Sequence, residues 1–360
     1  MRTSRIKTTV WALLLTVAVG TTADGSLLTS YTFQGHGNWS IDAVGGNGAP
    51  VGTIEAFVPV GSTVQKAFLY STTWGDSVTP SVTFAGQNYS GGLWTALGLL
   101  GNGLQAFRAE VTNQVALAVG GGNANRFSFQ IDSESPNGQV DGEGLVVVYS
   151  NALDLFRSII LLDGSSSPAG DTATVNLAAP LDLTQAGFEA QLSLGIGFGF
   201  QGNVQYSNVD IDGRRLTSAA GGQDDGIGQN GALITFGGLD DSLSNPLDPD
   251  AIANNNPRFD DELYNLALGN DANANPFLTQ GSTSFTIRTS NPSNDDNIFF
   301  TGLNITAIAS IGPPPNVPEP SSLAIAASGA LFGCVLSSDV DHARTTELLK
   351  ERTPRRSLTL

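Results

Sequence analysis

The chain has 360 residues, 33 acidic and 16 basic, with a formal net charge of −17. Apolar residues make up 40%, enough for a real core, and charged residues only 14%, which excludes wholesale disorder. With Lys66 as the one lysine of its body it does not bind nucleic acid by tracking phosphates, and a lone cysteine, Cys334, excludes an internal disulfide or a multi-cysteine metal site.

Residues 1–23 read as a signal peptide with its apolar helix. Arg2, Arg5 and Lys7 give a positive start, Val10 to Gly20 is apolar, and Thr21-Thr22-Ala23 offers small residues for cleavage before Asp24. Spanning a bilayer takes about 20 apolar residues, more than this run supplies. Between Asp24 and Asn316 lie 28 acids and eight bases, so the exported body carries about −20. Such a charge favours solubility and cation binding and repels anionic partners.

Strand signals follow one another along this body, as β-branched or aromatic runs bounded by Gly, Pro, Asn or Ser. They are Thr53 to Val58, Val64 to Thr72, Ser81 to Phe84, Phe127 to Ile131, Arg157 to Leu162, Ala173 to Leu177, Gln191 to Phe200, Val204 to Ile211, Leu233 to Phe236, Ser284 to Thr289 and Asn297 to Ala309. Gly144-Leu145-Val146-Val147-Val148-Tyr149 is nearly continuous in apolar residues, as a strand covered on both faces should be. Asn88-Tyr89-Ser90-Gly91 and Asp212-Gly213 read as turns. Helical spacing is short and local, in Trp94 to Leu100, Phe107 to Val119 and Asp260 to Leu268. The pattern predicts an all-β fold of sandwich or jelly-roll type. Two packed β domains, 24–150 and 151–311, are expected, the second more acidic: Asp210 to Asp296 holds 14 acids against four arginines. One continuous sandwich with an acidic insertion also fits.

Three motifs imitate chemistry. Gly197-Phe198-Gly199-Phe200-Gln201-Gly202 has dinucleotide-loop spacing, but strand-like alternation follows where a helix N-terminus should hold the pyrophosphate, so it reads as a glycine-kinked strand. Gly75-Asp76-Ser77 with the distant Asp339-Val340-Asp341-His342 imitates a serine hydrolase, with the histidine in a detachable tail. Gly35-His36-Gly37 reads as a turn leading Trp39 and Ile41 into a core; alternatively His36, Trp39 and Asp42 line a ligand site, to which Trp74 and Trp94 add stacking surfaces.

The acidic pairs are the strongest functional hint. Asp224-Asp225, Asp240-Asp241, Asp248 with Asp250, Asp260-Asp261 and Asp295-Asp296 sit mostly among Gly and Asn, and calcium takes six to eight oxygens of the kind such loops supply. No EF-hand spacing is present, and solvated loops of an acidic protein are the plainer reading.

The far end is an address. Residues 312–322 form a proline-rich linker with the box Val317-Pro318-Glu319-Pro320; 323–338 hold an apolar helix, Leu323 to Leu336; and 339–360 form a tail with Arg344, Lys350, Arg352, Arg355 and Arg356. Together these resemble the PEP-CTERM sorting signal of exported bacterial proteins, although Ser337 to His342, with Asp339 and Asp341, stand between helix and arginines. The resemblance implies recognition by an exosortase-type membrane protease, transient membrane association through the apolar helix, and release to the cell surface or an exopolysaccharide matrix. The expected function is a non-enzymatic structural or adhesive one with Ca²⁺ in the acidic loops. The competing readings are a secreted glycoside hydrolase using two carboxylates, or a lectin-like carbohydrate-binding module.

Overall fold

The computed structural model describes residues 26–46, 51–75, 78–99, 103–120, 124–133, 139–198, 206–220, 234–250, 262–270 and 272–312. Contacts divide the chain into two units, Met1–Pro314 and Pro315–Leu360, and all described residues belong to the first. The segments read from the sequence as a signal peptide, a Pro-Glu-Pro box, a sorting helix and a basic tail lie outside the described residues.

The body is all β. Its strands are β1 (Leu28–Gly45), β2 (Val51–Phe57), β3 (Thr63–Trp74), β4 (Val82–Phe84), β5 (Gln87–Tyr89), β6 (Thr95–Leu99), β7 (Leu104–Glu110), β8 (Arg126–Ser133), β9 (Val140–Ser150), β10 (Phe156–Asp163), β11 (Asp171–Leu177), β12 (Ala190–Gly197), β13 (Asn208–Ile211), β14 (Arg214–Thr217), β15 (Thr235–Phe236), β16 (Leu263–Asn265), β17 (Ser284–Ser290), β18 (Asn297–Ile305) and β19 (Ala309–Ile311); the described residues also hold one α-helix, α1 (Thr112–Gly120), and a short 3-10 helix, Gly91–Leu93. All pairings between these strands are antiparallel.

A ten-stranded sheet runs β15-β12-β18-β10-β1-β9-β3-β7-β6, with β16 also on β12; a five-stranded sheet runs β14-β13-β17-β11-β19, and a four-stranded one β2-β8-β4-β5. The large sheet folds back on itself at β1. Leu28 to His36 pair with β10, Gly37 to Gly45 pair with β9, and 151–155 loop out between those partners. The Gly35-His36-Gly37 turn expected from the sequence is instead the point inside one long strand where the partner changes. Glycine is needed there, because a Cβ on Gly37 would lie 2.1 Å from the Tyr149 carbonyl oxygen.

Four layers result, with a core in each of three gaps. Side chains alternate across a strand, so Leu145, Val147 and Tyr149 of β9 enter the core under the four-stranded sheet, while Val146 and Val148 enter the central one. In β10, Ile160 and Leu162 face the five-stranded sheet and Ile159 and Leu161 the central gap. Both strands are covered on both faces, as the apolar run 144–149 predicts. Gly144 permits a close approach across the central gap: a Cβ there would meet the Phe236 ring at 2.1 Å. Strands before Ser150 build the first two layers and strands after Asn151 the other two; β1 alone serves both.

Several local expectations need correction. Residues 95–99 are strand, since β7 offers them a partner, and only from Thr112 does the expected 107–119 segment become helix. Leu263–Asn265 adds to β12 as strand, where helical spacing was read. Of the turn expected at 88–91, Asn88 and Tyr89 are strand, preceded by a turn at Ala85 and Gly86, while Ser90 and Gly91 do turn into a short 3-10 segment, Gly91–Leu93. Asp212-Gly213 does turn the β13–β14 hairpin, at φ 50° and 74°. β12 stops at Gly197 because Phe198 takes φ 60°; 199–205 lie outside the described residues.

Candidate functional site

The four residues proposed as a polar-aromatic site occupy different places. His36 is exposed, its Nδ1–H donating to the Asp154 carbonyl at 2.8 Å and its ring edge-on to Phe156 at 5.8 Å. Trp39, three residues on, is half-buried against the central core. Trp94 is only 7% exposed; its Nε1–H donates to the Tyr89 carbonyl at 3.1 Å and its ring packs on Tyr89 and Phe107. Trp74 is 58% exposed at the end of β3. Trp39 sits opposite Val148 and Trp74 bonds to Gln139, so these two rings stand about 30 Å apart along β9 at ~3.4 Å per residue.

The acids chosen for calcium are equally dispersed. Asp224, Asp225, Asp260 and Asp261 lie outside the described residues. Asp240 is held in a fork by Arg126, which also grips Glu55, and that guanidinium keeps the Asp240 carboxyl below its ordinary range. Asp241 accepts the Gly238 N–H at 2.5 Å, and Asp248 accepts the Asp250 N–H at 3.3 Å. Among the described residues no three His, Cys, Asp or Glu side chains gather as they would around a metal ion.

Among the described acids of these pairs, Asp296 is fully buried and Asp295 beside it is half-buried. Asn291 folds their turn: its Oδ1 accepts the Asn294 N–H at 2.8 Å and its Nδ2 donates to the Asp296 carbonyl at 2.7 Å. Asp296 is fully buried and accepts the Ser207 hydroxyl through Oδ2. Its Oδ1, and Oδ1 of Asp295, are buried without a protein partner. Burial first, then the Asp295 charge, push the Asp296 carboxyl well above its ordinary range.

Sequence reasoning missed two buried acids on β9, and it read the half-buried Asp42 of β1 only as a ligand-site candidate. Glu143 is fully buried, accepting Ser133 at 2.7 Å and Ser71 at 3.4 Å, and burial pushes it to about 7. Asp42 accepts the Glu55 backbone N–H, and burial lifts it too to about 7. Asp141 accepts the Phe198 N–H at 2.7 Å and the Thr72 hydroxyl at 3.2 Å, both on Oδ2; burial pushes it well up. A signal existed. Asp141 and Glu143 alternate with glycines immediately before the apolar run 145–149, so they belong to a strand buried on both faces.

No protein family matches this chain, and no curated protein matches it. Among solved structures, one described as "Structure of PNGF-II in C2 space group" is similar at 13% identity with a TM-score of 0.21. The likeness covers 81% of this chain and 65% of that one, so this chain spans a little under two thirds of that protein's length.

Proposed function

We propose that this is an exported structural protein of a bacterial surface or extracellular matrix, delivered by its leader and sorted through Val317-Pro318-Glu319-Pro320. The observation that carries this reading is where the body's ends leave it. Ser26, Leu27 and Leu28 line the same cavity of about 360 Å³ as Ile311 and Gly312, so entry and exit of the chain lie side by side at one pole. A module tethered by one end then keeps its opposite pole free. Eight residues further along β1, about 27 Å away, that pole presents Leu153, 92% exposed, with Leu155 and Phe156 beside His36. Clustered exposed apolar side chains of this kind serve contact with a neighbour. The calcium part of the reading narrows to Asp295 and Asp296, whose enclosed, partner-free oxygens suit a cation better than the paired or exposed acids do.

Fractionation of cells expressing the full chain tests the proposal. Replacing Pro318, Glu319 and Pro320 together by alanine should leave uncleaved protein in the membrane, and unchanged release would refute the sorting. Incubation with polysaccharides should give no turnover; cleavage of a polysaccharide would move the protein to the hydrolase reading.

A further inference from the structure

The central gap ends in buried polar groups that have no partner among the described residues. Asp141 is 1% exposed and its Oδ1 has no partner; Asn297 is 1% exposed and neither amide atom has one. These two come from opposite walls. Asp141 begins β9 on one side, and Asn297 begins β18 on the other.

Register brings them together. Asn297 pairs directly with Gly197, so their Cβ positions share one face of the sheet about 5 Å apart. The Cβ position of Gly197 points straight at Thr72, 2.8 Å from its Cγ2 and 2.9 Å from its Oγ1. Asn297 therefore projects across the gap toward Thr72, whose hydroxyl is already 3.2 Å from Asp141. That hydroxyl spends its one proton on Oδ2 of Asp141 and keeps its lone pairs. Oδ2 also takes the Phe198 N–H, while Oδ1 is buried with no partner among the described residues.

We infer that Asp141, Thr72 and Asn297 form a site for a monovalent cation, with Na⁺ as its occupant. The donors are all hard oxygens: one carboxylate, one hydroxyl and one amide carbonyl. Of these three ligands Asp141 alone is charged and balances one positive charge; Glu143, whose charge also acts on Asp141, is held by Ser133 and Ser71. A divalent ion at the same place would bury an uncompensated charge, which is costly away from water. Burial pushes the Asp141 carboxyl well above its ordinary range, so a proton and the ion compete for it. This site is separate from the Asp295–Asp296 turn and does not depend on the reading given to it.

Thermal melting of the full chain in NaCl and in choline chloride, at equal ionic strength and fixed pH, tests the inference. The wild type should melt about 3 °C higher in NaCl, Asp141→Asn should lose that difference, and Asp296→Asn should retain it. Equal melting of the wild type in the two salts, or an Asp141→Asn variant that keeps the sodium-specific rise, would overturn the site. If Asp141→Asn does not fold, Thr72→Val and Asn297→Ala, each removing one neutral ligand, should reduce the sodium-specific rise; a full rise in both overturns it equally.

Discussion

Each outer core is assembled within one half of the chain, whereas the central core takes its residues from both. Under the five-stranded sheet the residues come from strands after Asn151 and are largely aliphatic, such as Ile160, Leu192, Leu194, Ile298 and Ile305. The central gap is aromatic. Tyr70 from the first half meets Phe300 at 5.4 Å, Phe236 at 5.8 Å and Phe299 at 6.0 Å, all from the second half, and Phe236 meets Phe300 at 5.2 Å. Tyr70 also donates to Asp163 at 2.9 Å, a carboxylate shared with Arg108 at 2.5 Å. Residues far apart in sequence are thus joined by rings that bury large areas and by a charge that loses its compensation if the halves separate. The difference teaches that the halves can each define a face, but only their union closes the middle.

The largest expected effect comes from breaking that union. Phe300→Ala should cost about 3–5 kcal/mol in denaturant unfolding. It should also raise amide exchange in β9 as well as β18, because the lost ring supports both walls. Phe129→Ala, in the core under the four-stranded sheet, should cost a similar amount but raise exchange only in strands before Ser150. Exchange confined to the second half in Phe300→Ala would show that the two halves are not coupled through the rings.

The walls also differ in their response to pH. Asp42 and Glu143 tie the first wall to its four-stranded cover, and burial raises both to about 7. A carboxyl titrates near 4 in the unfolded chain. The folded state therefore holds protons that the unfolded state has released over that interval. Their contribution is complete below pH ~4 and is lost as the pH rises through about 7. Asp141 and Asp296 act with the same sign. Stability of the wild type should fall from pH 4 to pH 7, and Glu143→Gln should flatten the slope by about 3 kcal/mol over that range. A variant with an unaltered slope would detach Glu143 from it.

What could be read in advance follows the same division. Strand positions and the double burial of 144–149 were legible, because period-two alternation and turn residues are local. The union was not. Gly35-His36-Gly37 looks like a turn to any local rule, and only the presence of β9 and β10 on either side of His36 makes it a continuous strand. Trp94 looked like a binding surface because a tryptophan carries no mark of which way it faces; a carbonyl at Tyr89 for its N–H decides that it is core. The acidic pairs caught the eye as doublets, yet Asp141 and Glu143, spaced by glycine, lie as deep as Asp296, the one fully buried member of the described pairs. Composition locates charge along the chain, while burial depends on layers that the chain supplies from hundreds of residues away.

The smallest effect concerns the rim of the first wall. Arg126 on β8 reaches Glu55 on β2 and Asp240 in the loop after β15, and so pins a second-half loop to the four-stranded sheet from outside. Arg126 and Asp240 are both well exposed, so water and salt screen the contact and the side chains pay rotamer entropy to hold it. Arg126→Ala should therefore cost only ~0.2–1 kcal/mol, and the loss should vanish in high salt. The Ser128 hydroxyl, the first cause holding the Glu55 carboxyl low, still serves it in the variant, so Glu55 is not left unpaired. A larger, salt-independent loss would mean that this rim contact, and not the aromatic gap, binds the two halves together.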